Sequence, residues 1–252
     1  MIKGNKRRQE QIGLDRLIKF EWLERTAYLV LAGNEVSAIK TVLQEELARA
    51  FRSNNTNVRG SLDKTITILL KTWANAPRDI KTLQIEGLDL LSSMERKEHV
   101  AIQWCMIMAV YPFWGAVAIQ TGRLIMLQGA AASSQVQRRV REQFGERETV
   151  SRRVRYVLRS FIDWGVLKET NEKGVYGKGK QYLVEDPRLI AWMIEATLYS
   201  TANGSAVTKD LLNCPCIFPF RLAHISAEHV ASLSPRLSVL RHDLDDDLLM
   251  LR

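Results

Sequence analysis

ETVSRRVRYVLRSFIDWGVLKETNEKGVYGKGKQYLV, residues 148–184, changes its hydrophobic period half-way along. From Glu148 to Trp164 the period is helical. Val150, Val154, Val157, Leu158, Phe161 and Ile162 fall at i, i+4, i+7, i+8, i+11 and i+12, which is one apolar face. Gly165 closes this helix. Val166 to Glu169 then reads as a short strand, Asn171 to Gly179 as a glycine-rich basic turn, and Gln181 to Val184 as a second strand.

Two helices are expected just upstream. The first runs from Phe113 to about Gln128 and ends at the break Gly129-Ala-Ala-Ala-Ser133. The second is SSQVQRRVREQFG, capped by Ser133 or Ser134 and closed by Gly145 as its C′ residue. Glu148 or Thr149 opens the third. Three helices followed by a β-hairpin is the winged-helix arrangement.

The polar residues of the third helix carry a pattern of their own. Ser151, Arg152, Arg155, Tyr156 and Arg159 lie off the apolar face. Arg152, Arg155 and Arg159 are spaced by three and four, so they share one stripe, and Arg153 adds to the helix's charge. A groove-entering helix presents its first two turns to base edges, where arginine binds guanine bidentately. Gly174, Gly177 and Gly179 read as a turning wing that Lys173, Lys178 and Lys180 charge, which suits phosphate or minor-groove contact. Arg138, Arg139 and Arg141 on the second helix would add backbone contacts.

The charge is concentrated in the same place. The chain of 252 residues carries +8, and residues 133–184 hold 12 Lys/Arg against 6 Asp/Glu, a net +6 in about a fifth of the length. A solubilising charge would spread more evenly. This distribution favours double-stranded DNA as partner. The competing reading is a solvated arginine face on a winged helix that binds protein, since fold alone does not set function.

VAIQWCMIMAVYPFWGAVAIQTG, residues 100–122, has no charge and is long enough to be weighed as a bilayer span. Pro112 sits at its centre and breaks it into two helices near Tyr111. Gln103 and Gln120 would need partners in lipid. Two central helices of a soluble domain are therefore expected, with no membrane anchor. The basic start MIKGNKRRQEQIG lacks a following apolar stretch, so no signal peptide is expected. Three cysteines make no disulfide framework, which points to a reducing, cytoplasmic setting.

The remaining segments are helical or short. Ile12, Leu17, Phe20, Leu23, Ala27 and Leu31 predict a helix from about Gln11, and Asn34 is placed to cap the next one, through Leu47. Ser53 to Asn57 is a polar loop. Further helices are expected from about Leu62 to Trp73 and Lys81 to Met94. Asp186-Pro187 opens a helix to about Ser200, and Ser205 to Asn213 suggests a short one. Arg236–His242 and Leu248–Arg252 pair as a hairpin across an acidic turn.

Catalytic and metal patterns are weak. Cys214-Pro-Cys216 with His224 and His229 departs from zinc-site spacing. Gly174-x-x-Gly177-x-Gly179 lies between strands, whereas phosphate-cradling loops open a helix. Cys105 sits in the apolar run, turn chemistry accounts for Asp245-Asp246-Asp247, and Trp73, Trp104, Trp114, Trp164 and Trp192 fall at core positions. No enzyme, metal or cofactor is expected.

The Tyr111-Pro112 break, the arginine-rich helix and Asp163-Trp-Gly-Val-Leu167 together make the chain resemble, over roughly residues 60 to 185, the BrxA-type proteins of bacteriophage-exclusion defence systems. The resemblance implies a helical, DNA-binding, non-enzymatic accessory subunit with a winged helix, held in a larger complex. The expected fold is mainly α: a helical bundle over 1–111, a winged helix over 112–186, and a C-terminal helix and β-hairpin extension over 187–252. The function expected is DNA binding in anti-phage defence. A protein-interaction scaffold and a transcriptional regulator stand as alternatives, and a membrane-associated factor is the weakest.

Overall fold

The computed structural model describes residues 10–51, 58–241 and 247–252. Among them the chain forms eleven α-helices and eight short strands, so it is mainly α. Helices α1 (Phe20–Leu31), α2 (Val36–Ala48), α3 (Val58–Trp73) and α4 (Lys81–Ser93) come first. Each buries one stripe: Leu23 and Ala27 on α1, Ile39, Leu43 and Leu47 on α2, Ile66, Leu69 and Trp73 on α3. These steps of three and four residues are the helical period. Asn34 does not cap α2. Its Nδ2 donates to the Leu29 carbonyl at 2.9 Å and closes α1 instead, while Glu35 precedes α2 without a side-chain cap. The loop Ser53–Asn57 lies outside the described residues.

The uncharged run forms α5 (His99–Val110) and α6 (Pro112–Gln128). They bend by 118° at Tyr111. Pro112 takes the first position of α6, where its missing N–H costs nothing. No single helix among the described residues is long and apolar enough to cross a membrane. The pair fills the interior, and every residue from Ala101 to Ala118 is buried. The Gln103 side-chain oxygen is satisfied there, accepting a 2.6 Å hydrogen bond from Trp73 Nε1. Trp104 is the hub of an aromatic cluster, with ring centroids 4.6 Å from Phe161, 5.2 Å from Trp114 and 5.6 Å from Phe218. Residues from all three expected segments meet in that cluster, so they share one core.

After α6 come β1 (Ala130–Ala132), α7 (Ser133–Phe144), α8 (Glu148–Asp163), β2 (Leu167–Glu169) and β3 (Val175–Lys178). The strands form an antiparallel sheet with β3 in the middle. Three expectations change here. The presumed break at Ala130–Ala132 is a strand, with Ala131 opposite Tyr176. The partner of β2 is Val175–Lys178, with Lys168 opposite Gly177, and not Gln181–Val184. Tyr182–Val184 is a separate strand, β4, parallel to residues Phe220–Leu222.

The glycines divide accordingly. Gly174 turns the hairpin with φ +79°, whereas Gly177 lies within β3 and Gly179 packs against backbone. A Cβ at Gly179 would lie 2.3 Å from the Gly165 carbonyl oxygen and 2.6 Å from Val166 C. The cause is a pair of hydrogen bonds, Gly179 N to Val166 O and Lys180 N to Gly165 O, that locks the hairpin base. Gly179→Ala is expected to cost about 1–3 kcal/mol by overpacking. Urea denaturation measures this as a lower midpoint at unchanged slope, and an unshifted midpoint would refute the tight approach.

On α8 the expected apolar face is buried at Val150, Val154, Val157, Leu158 and Phe161, while Ile162 at its end is half-buried and lines the groove described below. The helix also anchors residues 11–19, which are not helical. The spacing of Ile12, Leu17 and Phe20 imitates a helix, but this segment is a strap. Ile18 N donates to Ser160 Oγ at 2.9 Å, Trp164 Nε1 donates to Ile18 O at 3.0 Å, and Arg153 Nη1 donates to Ile12 O. Leu14 and Ile18 are buried, so apolar burial and borrowed side-chain donors replace the helical ladder.

The remainder wraps the core. α9 (Pro187–Ser200) is buried from Leu189 to Tyr199. Then follow β5 (Ser205–Val207), α10 (Thr208–Leu212), a 3-10 turn (Pro215–Ile217), β6 (Phe220–Leu222), α11 (Ala227–Leu233), β7 (Leu237–Arg241) and β8 (Asp247–Leu251). The short helix expected from Ser205 therefore begins only at Thr208. β8 lies between β5 and β7. The terminal hairpin pairs as expected, while its turn, including Asp245 and Asp246, lies outside the described residues.

Asp186 caps α9, accepting from Arg188 N at 2.8 Å and Leu189 N at 3.2 Å. Burial pulls its carboxyl pKa up, but these donors and the Arg188 guanidinium outweigh it and hold it below the ordinary carboxylate range. A depressed folded pKa contributes stability above the unfolded value of about 3.9 and loses it as pH falls through the folded value. Asp186→Ala is expected to cost about 1 kcal/mol at pH 7, and thermal midpoints should show the gap closing below about pH 4. A gap independent of pH would contradict the capping role.

Candidate nucleic-acid interface

The side of α8 opposite its apolar face looks outward. Arg152, Arg155 and Arg159 are exposed along one stripe, with Tyr156 half-buried beside them. Arg152 and Arg159 make no hydrogen bond or ion pair among the described residues. Arg155 Nη2 bonds Glu148 Oε1 at 3.0 Å, an exposed pair near the start of the same helix.

Facing this stripe is the β2–β3 hairpin, and between them runs an open groove of about 930 Å³. Arg152, Arg155, Tyr156 and Arg159 line one wall, and Glu169, Glu172, Lys173 and Tyr176 line the other. Asp163 also reaches the groove, but its Oδ2 accepts from Phe20 N at 3.2 Å and so serves the start of α1. Burial raises the Asp163 carboxyl pKa, and that backbone bond opposes the rise. One wall thus presents three arginines around Tyr156, with Arg155 paired to Glu148, and the groove's acids Glu169 and Glu172 sit on the hairpin side and Asp163 at the end of α8. Guanidinium forks along such a wall suit phosphate oxygens and the guanine major-groove edge.

Not every expected site residue joins the groove. Ser151 is buried, because it precedes Val154 by three and Leu158 by seven and so shares their face. Arg153 is half-buried and holds the strap through Ile12 O, a structural task. Of the hairpin lysines, Lys173 stands in the turn and lines the groove. Lys178 ends β3 and borders a different depression, beside Met126, Gln181 and Arg221. Lys180 follows the hairpin base, where its N–H bonds Gly165 O. On α7, Arg138 is exposed, Arg139 is half-buried, and Arg141 Nε lies 3.3 Å from Glu146 Oε2. None of these three lines the groove.

The groove also takes in residues the sequence pattern did not single out. Tyr176 was hidden inside the presumed wing turn, and its place in a paired strand turns it toward α8. Ser133, which is the first residue of α7 and not its cap, and Leu17 of the strap also line it. Ser133 N donates to Gly174 O at 2.8 Å, so the start of α7 steadies the hairpin turn. Only the strand alternation around Tyr176 could have signalled any of this.

Among the described residues, no group of three or more His, Cys, Asp or Glu is placed to hold a metal ion. Cys214 and Cys216 lie together, while His224 and His229 are exposed on later segments. The chain matches no protein-family model, no curated protein and no solved structure.

Proposed function

We propose that the chain is a non-enzymatic winged-helix protein that binds double-stranded DNA through α8 and the β2–β3 hairpin. The order helix, strand, two helices, two strands over residues 112–178, with β3 central in the sheet, supports the winged-helix reading, while β4 leaves that unit to pair with Phe220–Leu222. In that reading α8 is the recognition helix and the hairpin is the wing. The observation that carries it is the exposed stripe Arg152–Arg155–Arg159 facing Lys173 across an open groove. The resemblance to bacteriophage-exclusion subunits supports a place as an accessory subunit in a cytoplasmic anti-phage complex.

The test is a fluorescence-anisotropy titration against a 20-bp duplex across a salt series. Four cations on phosphates give a log–log salt slope of about −3 to −4, or about a 100-fold weakening between 50 and 200 mM salt. Absence of binding at 50 mM salt would overturn the proposal.

One observation favours the scaffold reading. Met126 and Leu127 at the end of α6 are 67% and 80% exposed. A protein partner seated on the end of α6 would cover these two apolar side chains. An accessory subunit uses both surfaces, and the scaffold reading stands alone if the duplex does not bind.

A further inference from the structure

Cys214 and Cys216 flank Pro215, and their sulfurs lie 2.6 Å apart. The turn that carries them is fixed from two sides. Trp104 Nε1 donates to the Cys216 carbonyl at 3.0 Å. Gly122 of α6 approaches so closely that a Cβ there would lie 2.3 Å from the Pro215 oxygen. These contacts fix the backbone of the turn and so place the two thiols side by side. They differ in access: Cys216 is buried, while Cys214 is half-buried. A cavity of about 270 Å³, lined by Gly115, Ser200 and Thr201, takes in both. A second depression beside Gln181 and Arg221 borders Cys214 alone.

We propose that Cys214 and Cys216 form a redox-active dithiol that reacts with low-molecular-weight disulfides, with Cys214 as attacking thiol and Cys216 as resolving thiol. The asymmetry of the pair sets the roles. The Cys214 pKa is held below the ordinary thiol range by the hydrogen bond from the Cys216 thiol, which outweighs burial, with help from the Cys216 N–H and the nearby Arg123 charge. The same bond pushes the Cys216 pKa well up, and burial and the Cys214 charge add to the rise. Cys216 N donates to Cys214 Sγ at 3.4 Å. The Cys214 sulfur thus collects donors, which is how a thiolate becomes available.

The exchange balances without any further reactant. The Cys214 thiolate attacks one sulfur of the incoming disulfide, forming a mixed disulfide and expelling one thiolate. Cys216 gives up its proton to that thiolate, then attacks Cys214 Sγ and expels the second, which takes a proton from water as the Cys214 proton was given to water at the start. The small disulfide gains two electrons and becomes two thiols, and the protein loses two and gains the Cys214–Cys216 bond.

The experiment incubates the full chain with excess oxidised glutathione, quenches with acid, unfolds, and alkylates the remaining thiols with N-ethylmaleimide. Wild type should lose two of its three alkylatable thiols, and tryptic peptide 210–221 should carry an internal disulfide. Cys216→Ser should accumulate one glutathione on residue 214, and Cys214→Ser should leave peptide 210–221 without a glutathione adduct. Wild type that keeps all three thiols overturns the proposal, as does glutathione attached to Cys105 alone. The wild-type peptide decides the matter even if a variant does not fold.

Discussion

Arg152→Glu combined with Arg155→Glu is expected to weaken duplex-DNA binding at least about 100-fold at 100 mM salt. Each lost charged contact to DNA removes on the order of 1–3 kcal/mol, and the new carboxylates repel the phosphates. The surviving interaction should show a salt slope flatter by about two units, roughly one for each phosphate contact removed. Folding should not explain the loss. Arg152 has no partner among the described residues, and Arg155 gives up one exposed pair with Glu148, worth about 0–1 kcal/mol. Lys209→Glu alters an exposed lysine that does not line the groove, and it should leave affinity within about two-fold. If the double variant binds like wild type, α8 is not the recognition helix.

Arg236→Ala is expected to cost about 3–5 kcal/mol of stability, because it strands a buried carboxylate. Glu195 is 1% exposed on α9. Arg236 Nε donates to Glu195 Oε1 at 2.6 Å and Nη2 to Oε2 at 2.8 Å, while Ser234 Oγ donates to Oε2 at 2.6 Å. The same guanidinium forks onto Glu86 of α4, with Nη1 2.8 Å from Oε1. Burial pulls the Arg236 pKa down, but the two carboxylates outweigh it and drive it up, so the arginine stays charged. Urea denaturation measures the loss. Arg25→Ala, which breaks an exposed pair with Glu46, should cost less than about 1 kcal/mol. A loss that small at Arg236 would mean that Glu195 is solvated or neutral in its absence. Adding Glu195→Gln to Arg236→Ala should recover part of the stability, since the stranded charge is then gone.

The helices were legible because their signals are local. Apolar residues at the helical period mark α8, Gly145 and Gly165 mark helix ends, and Asp186-Pro187 marks the start of α9. The bend at Pro112 follows from one missing N–H. The strands were much less legible. Ala130–Ala132 has no strand-like composition and becomes a strand only because Val175–Gly177 pairs with it. β4 finds its partner 38 residues away, at Phe220. The hairpin register is hidden in the sequence because Gly177 looks like a turn residue, whereas it lies in the central strand, opposite Ala130 and Lys168.

The candidate site divides along the same line. Arg152, Arg155 and Arg159 were readable from spacing alone, since a helix with one apolar face must expose the other. Arg153 and Ser151 were not. Arg153 is turned to the Ile12 carbonyl by a strap that the sequence disguises as helix, and Ser151 is small enough to sit on the apolar face without a signal. The Glu86–Glu195–Arg236 cluster joins residues up to 150 positions apart, and no local pattern announces it.

Site-directed photo-crosslinking tests the central claim most directly. p-Benzoylphenylalanine replaces Tyr156 in the groove, or Lys209 outside it, and each protein is irradiated with a radiolabelled duplex at 100 mM salt. Crosslinked DNA at position 156 and none at position 209 is the predicted result. DNA crosslinked at 209 and not at 156, or at neither position under conditions where wild type binds, would contradict recognition through α8 and the hairpin.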